Sequence, residues 1–256
     1  MVVIMGMSYQ ECRNIKLVLS YDGSFFNGWQ RQKNTNNTVQ ELIENVLFKV
    51  LNENVKIIGA GRTDAGVHAF RQVANFKTTN FSIPSEKFKV ILNSSLPESI
   101  RILSSEEVSS EFNARFSAKF RKYIYLIYIG DEIFLPFISR YAFISSKKDF
   151  DIRFMNEVAK FFLGNHDFLN ISSKRNYNTT VRFVKSFRVF SKKDFLVFSM
   201  VANGFMYNMA RGMVSCIIEA EKRRDYSFVE RILKGREKNK PSLVPPNGLY
   251  LHKVYY

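Results

Sequence analysis

The stretch GAGRTDAGVHAF, Gly59 to Phe70, limits what this chain can become more than any other. Gly59 to Gly66 holds three glycines with one Arg and one Asp among them. Glycines at this density mark a backbone in conformations other residues avoid, or one that another group approaches closely. Strand-like segments flank it, Val55 to Ile58 before and Val73 to Phe76 after. A rigid loop between two strands can hold one reactive side chain in a fixed place, and Asp64 is the candidate. A tight hairpin with an incidental Asp is the competing local reading. The loop is not a dinucleotide fingerprint, because its third glycine is misplaced and no helical pattern opens after it. Nor is it a P-loop: no Gly-Lys-Ser/Thr ends it, and an Asp would repel a phosphate.

The elements around the loop follow from periodicity. Ile15, Leu17, Leu19 and Tyr21 alternate with polar residues, which predicts a half-buried strand ending at Asp22-Gly23. Thr38 followed by Glu41 predicts a capping box on a helix with Val39, Leu42, Ile43, Val46, Leu47, Val50 and Leu51 inward. A second helix opens at Pro84-Ser85, and Ile100 to Leu103 reads as a strand. The polar run 104–111 is expected to join two halves. Beyond it, Lys122 to Ile129 is a strand and Asp151 to Leu163 a helix closed by Gly164. Val181 to Phe190 and Phe195 to Val201 form a hairpin over Lys192-Lys193-Asp194. Met206, Met209, Ala210, Met213, Val214, Ile217 and Ile218 keep helical spacing, Ser227 to Leu233 is a short helix, and Leu249 to Tyr256 a closing strand.

This order predicts an α+β protein of two ferredoxin-like (RRM-like) split βαβ halves, residues 12–111 and 112–256, after a loose tail at residues 1–11. The two halves would share one extended antiparallel sheet, with helices on one face, the other face free to bind, and an active-site cleft between them.

Five motifs carry a family resemblance. YDGSFFNGWQRQ (Tyr21 to Gln32), GRTDAGVHA, FNARFSAKFRKYIY (Phe112 to Tyr125), GFMYNMARGMV (Gly204 to Val214) and PPNGLYL (Pro245 to Leu251) stand in the order of the tRNA pseudouridine synthase A family, which this chain resembles. The region 130–146 matches none of them. The resemblance implies isomerisation of uridine to pseudouridine at positions 38, 39 and 40 of the tRNA anticodon arm, by a homodimer that needs no cofactor and no metal. It implies that Asp64 acts at the ribose, as nucleophile or as base. Either role needs an ionised carboxylate. By the same pattern Arg211 reaches Asp64, Arg62 stands beside it, and Tyr123 lies against the target base. An arginine close by favours the charged carboxylate, and an aromatic ring can hold a base that has left its stack. His68 is expected to bond within its own loop, and Trp29 to be structural.

Charge agrees with such a substrate. The 38 Lys and Arg against 23 Asp and Glu give +15, an excess that predicts a polyanionic partner and an affinity falling steeply with salt. Lys119 with Arg121-Lys122, Lys147-Lys148, Lys174-Arg175, Lys192-Lys193 and Lys222-Arg223-Arg224 are the candidate phosphate contacts. No run of apolar residues suggests a membrane partner. Two cysteines, Cys12 and Cys216, form no disulfide framework, which points to a cytoplasmic setting. Three scattered histidines give no metal spacing. Three rivals stay open: a non-catalytic RNA-binding protein of the same fold, an assembly factor, and a synthase acting on another RNA.

Overall fold

A computed structural model describes residues 11–173 and 177–256. Residues 1–10 of the expected tail (1–11) and the Lys174-Arg175 pair lie outside the described residues.

The chain begins with β1 (Arg13–Tyr21), whose inward Ile15, Leu17 and Leu19 are fully buried. Helix α1 (Val39–Leu51) follows. Thr38 caps it by accepting from Glu41 N. The reciprocal half of the capping box is not made, because the Glu41 carboxylate turns to Arg31 at 3.6 Å. The expected strand 55–58 shrinks to β2 (Ile58–Gly59), while β3 (His68–Thr78) is long. After α2 (Phe88–Ser95) comes β4 (Ile100–Val108). The polar run is therefore not a linker along its length: residues 104–108 pair with β1. They lie in an edge strand, where Glu106 and Glu107 face water and bind Lys16 and Arg13. Polar residues at an edge satisfy the strand and discourage further pairing.

The rest of the chain gives β5 (Phe120–Tyr128), α3 (Leu135–Ile138), β6 (Phe143–Ile144), α4 (Ile152–Ala159) and β7 (Gly164–Asp167). Then come the hairpin of β8 (Val181–Lys192) and β9 (Phe195–Ala202), then α5 (Met209–Arg223), α6 (Phe228–Leu233) and β10 (Leu249–Tyr255). Helix α4 is shorter than predicted because its last turn tightens to a 3-10 turn at Lys160–Phe162, before Gly164 turns at φ +91°.

The strands form one sheet in the order β4-β1-β3-β10-β5-β9-β8-β7, with β2 on β3 and β6 on β5. The sheet is mixed, not wholly antiparallel. The last strand, β10, runs antiparallel to β5 but parallel to β3, with Tyr250 opposite His68 and Leu251 opposite Ala69. That pairing makes one sheet of two groups of strands. Among the described residues no helix is long and apolar enough to cross a membrane.

The sheet face opposite the helices is not free. Tyr250 stacks on His68 at 4.7 Å and donates to Tyr141 O at 2.6 Å, and Asn247 donates to Ser139 O and Ala142 O. The segment around α3 thus covers β10 and β3 on that side.

Candidate active site

The cleft opens on the helix side. Tyr123 shares its face of β5 with Tyr125 and Ile127, both fully buried, and beside them the gap between α1 and the start of α5 stays open. The cleft measures about 630 Å³. Asp64, Arg62, Tyr123 and Arg211 all line it, although they come from three separate parts of the chain.

The glycine loop is held by packing on every side. Gly23 leaves no room for a side chain, since an added Cβ would stand 2.0 Å from Val67 O. Gly28, at φ +95°, passes directly under Thr63 and Asp64. Trp29 N donates to Thr63 O at 3.0 Å, and Tyr21 and Thr63 share a 2.7 Å hydroxyl bond. Trp29 is buried, with its indole against Gly59. The YDGSFFNGW motif is therefore the floor of the loop, and the expectation that Trp29 is structural holds.

Around Asp64 the charges are one-sided. Lys56, Arg62, Arg115, Arg121, Arg182 and Arg211 line the cleft, against the single carboxylate of Asp64. Burial pushes the Arg211 guanidinium below its ordinary value, and Asp64 is the leading charge that pulls it back. The coupling is mutual: each charge stabilises the other where water is partly excluded. Arg211 Nε donates to Val244 O at 2.7 Å and Nη1 to Asn208 Oδ1 at 3.2 Å, which fix its direction. Burial pushes the Tyr123 phenol well above its ordinary value, the charges of Tyr21 and Asp64 push the same way, and Arg121 opposes them. Tyr123 is thus a neutral aromatic face with a hydroxyl. Phe205 packs edge-on against it at 4.9 Å. Arg62 is exposed, with no ion-pair partner among the described residues.

One sequence expectation needs correction. His68 bonds outside its loop: Nδ1 accepts from Gly23 N at 3.1 Å, and the ring lies on the far face against Tyr250. Some residues of the basic clusters are held by other groups of the chain. Lys147 binds the buried Glu221, Arg223 binds Glu219 and Arg224 binds Asp151. Arg121 gives all five of its N–H groups to backbone carbonyls. Nε and Nη2 reach Ala60 O (3.2 and 2.9 Å), Nη2 also reaches Arg115 O (2.5 Å), and Nη1 reaches Ala118 O (3.0 Å) and Asn203 O (2.8 Å). A guanidinium has five such donors, so none is left for a phosphate. The cations that do face the cleft stand alone in the sequence, Arg121 apart, and a search for doublets passes over them.

Comparison with known proteins gives a consistent result. The family described as tRNA pseudouridine synthase matches residues 17–117 and 158–256. The tRNA pseudouridine synthase A of Brachyspira hyodysenteriae is 38% identical over 246 residues, covering 95% of this chain and 98% of that protein. That of Clostridium botulinum is 41% identical over 249 residues, covering 95% and 100%. The tRNA pseudouridine synthase A 2 of Clostridium tetani is 40% identical over 248 residues, covering 95% and 99%.

Proposed function

This chain belongs to the tRNA pseudouridine synthase family, and on that premise we propose that Asp64, Arg62, Arg211 and Tyr123 are the residues with which it isomerises uridine to pseudouridine in the anticodon stem-loop of tRNA. With membership of an enzyme family, the alternative of a non-catalytic binding protein falls away. The observation that carries the site is the single carboxylate of Asp64, set among six cations and coupled to Arg211.

The reaction breaks the bond between uracil N1 and ribose C1′, turns the base, and joins C5 to C1′. The C5 hydrogen leaves as a proton and N1 takes one up, so nothing is oxidised or reduced. Asp64 supplies the carboxylate at the ribose. Both nucleophilic attack and deprotonation there need it ionised, and Arg211 favours that state. Tyr123 offers its face to the detached uracil. Arg62, exposed two residues before Asp64, meets the nucleotide as it leaves its stack. Lys56, Arg115 and Arg182 attract the phosphates on either side.

The strand order supports a finer reading of the fold. Residues 12–111 give β4-β1-β3-β2 and residues 112–256 give β10-β5-β9-β8, the same order twice. Two ferredoxin-like halves side by side account for both, with the active site at their seam. We assign the chain to the cytoplasm with its tRNA, and to a homodimer. The exposed Ile133, Phe134 and Phe137 form an apolar surface of the kind that subunit contacts bury.

The test uses tRNA transcripts carrying tritium at C5 of uracil. Wild type releases tritium to water, and Asp64→Asn binds the transcript with unchanged affinity but releases none. Release by both proteins would remove Asp64 from the chemistry. No release by wild type on bound tRNA would overturn the substrate.

A further inference from the structure

Phe116 is the most exposed large hydrophobic side chain among the described residues, at 77%, and it lines the cleft that contains Asp64. A single exposed apolar residue on a protein surface is ordinary. The turn that carries this one is closed by several hydrogen bonds. Asn113 Oδ1 accepts from both Arg115 N (3.0 Å) and Phe116 N (3.1 Å), Ser117 N donates to Asn113 O (2.9 Å), and Asn113 N donates to Ser117 Oγ (3.0 Å). Ala114 N donates to Asn75 Oδ1 at 2.8 Å, which ties the turn to β3. Arg121 then joins Arg115 O to Ala60 O, so the turn and the Asp64 loop share one anchor. The Arg115 guanidinium lies over the Phe116 ring, 5.2 Å from its centroid.

Apart from Arg115, no ring or cation among the described residues packs on this aromatic side chain at the rim of the cationic cleft. An unstacked nucleobase is the ligand that fits it: planar, apolar on both faces, and flanked by phosphates that the neighbouring arginines attract. Chemistry on a tRNA uridine exposes such a surface, because the target must leave its stack and strand the base beside it. Building on the function proposed above, we infer that Phe116 stacks on the base next to the target uridine and fills the face that the departing base uncovers. The turn that carries the ring is already closed by these bonds, so its backbone needs little ordering on binding. Arg115 backs the ring and contributes charge on its other side.

The experiment measures affinity for an anticodon-arm transcript carrying 2-aminopurine beside the target uridine. Wild type, Phe116→Ala and Phe116→Trp are compared at two salt concentrations. Phe116→Ala is expected to bind about 5- to 150-fold more weakly. Its salt dependence should match wild type, since no phosphate contact is lost. Phe116→Trp should restore affinity. The 2-aminopurine emission should be quenched by wild type and not by Phe116→Ala. Unfolding temperature should be the same for all three, because the ring is exposed. Wild-type affinity in Phe116→Ala would overturn the inference. So would a loss that comes with a shallower salt slope and survives Phe116→Trp, which would make the ring a mere prop for Arg115. A change in sedimentation on Phe116→Ala would assign the ring to a subunit contact instead. Tritium release by wild type is scored separately, so a failed function and a failed stacking contact give different results.

Discussion

Replacing Arg121 with Gln tests how the site is held together. One guanidinium binds the Asp64 loop at Ala60, the Phe116 turn at Arg115 and Ala118, and the end of β9 at Asn203. The bonds to Arg115 and Asn203 are exposed, so water replaces them. Ala60 O and Ala118 O are partly buried, and each loses a charged donor. An unsatisfied buried carbonyl costs about 1–3 kcal/mol, and partial burial puts these two at the low end, roughly 2 kcal/mol for the pair. At this chain length that lowers Tm by about 4–8 °C. The site should suffer beyond the loss of stability, because a shift of about 1 Å in a reacting group can cost about 10²-fold in rate. Single-turnover tritium release, measured well below Tm, should fall by that order. The single tryptophan gives an independent reading, since Trp29 packs on Gly59, next to Ala60. Its emission should shift in Arg121→Gln and partly recover in Arg121→Lys. An unchanged Tm and rate would refute the reasoning. So would a loss confined to tRNA affinity with a salt slope shallower by about one ion, which would make Arg121 a phosphate contact.

Other predictions follow from packing and titration. Gly59→Ala puts a Cβ 2.6 Å from the Trp29 indole and should cost about 1–3 kcal/mol by overpacking. Trp29→Leu in that background should recover part of the loss, which a double-mutant cycle from chemical denaturation would show as coupling between the two sites. Burial pushes both His68 and His252 below the ordinary imidazole value. The folded state therefore takes up protons later than the unfolded state, whose histidines titrate near ~6.5. Stability is fully present above that pH and is lost as pH falls below it. Melting at pH ~7.5 and ~5.5 should show the drop, and His68→Gln with His252→Gln should flatten it. Asp225, held down to about 2 first by its hydrogen bond from Arg231, acts in a separate and more acid window.

What the sequence made legible was local. The alternation from Ile15 to Tyr21, the Thr38 cap and the helical spacing from Met209 are short-range patterns, and they became β1, α1 and α5. The glycine loop was legible for the same reason, since no other residue suits Gly23 under Val67 or Gly28 at φ +95°. Pairing between distant strands was not. Nothing in Leu249 to Tyr255 says that it will lie parallel to β3, yet that contact joins the sheet. The polar half of β4 misled because an edge strand and a linker have the same composition. Charge density along a chain says nothing about which carboxylates the fold brings near. Lys147 meets Glu221 across 74 positions.

Arg121 and Arg211 show most clearly why the site had to be built in three dimensions. Both are half-buried arginines with no acidic residue near them in sequence, and burial lowers both from their ordinary values. Their environments give them opposite work. Arg121 meets only carbonyls, so its charge is dispersed into backbone dipoles and its value is geometric: it sets where the Asp64 loop, the Phe116 turn and the end of β9 stand. Arg211 uses Nε and one Nη for similar anchoring, but Asp64 is the leading charge acting on it. Its value is electrostatic, and it falls on the Asp64 carboxylate. Lysine at 121 could satisfy at most part of a five-bond anchor, whereas lysine at 211 would keep the charge and lose the direction. The two substitutions should therefore separate: Arg121→Lys lowers Tm and rate together, and Arg211→Lys lowers the rate of tritium release with a smaller change in Tm. Equal effects on both measurements would mean that Arg211 is no more than a second anchor.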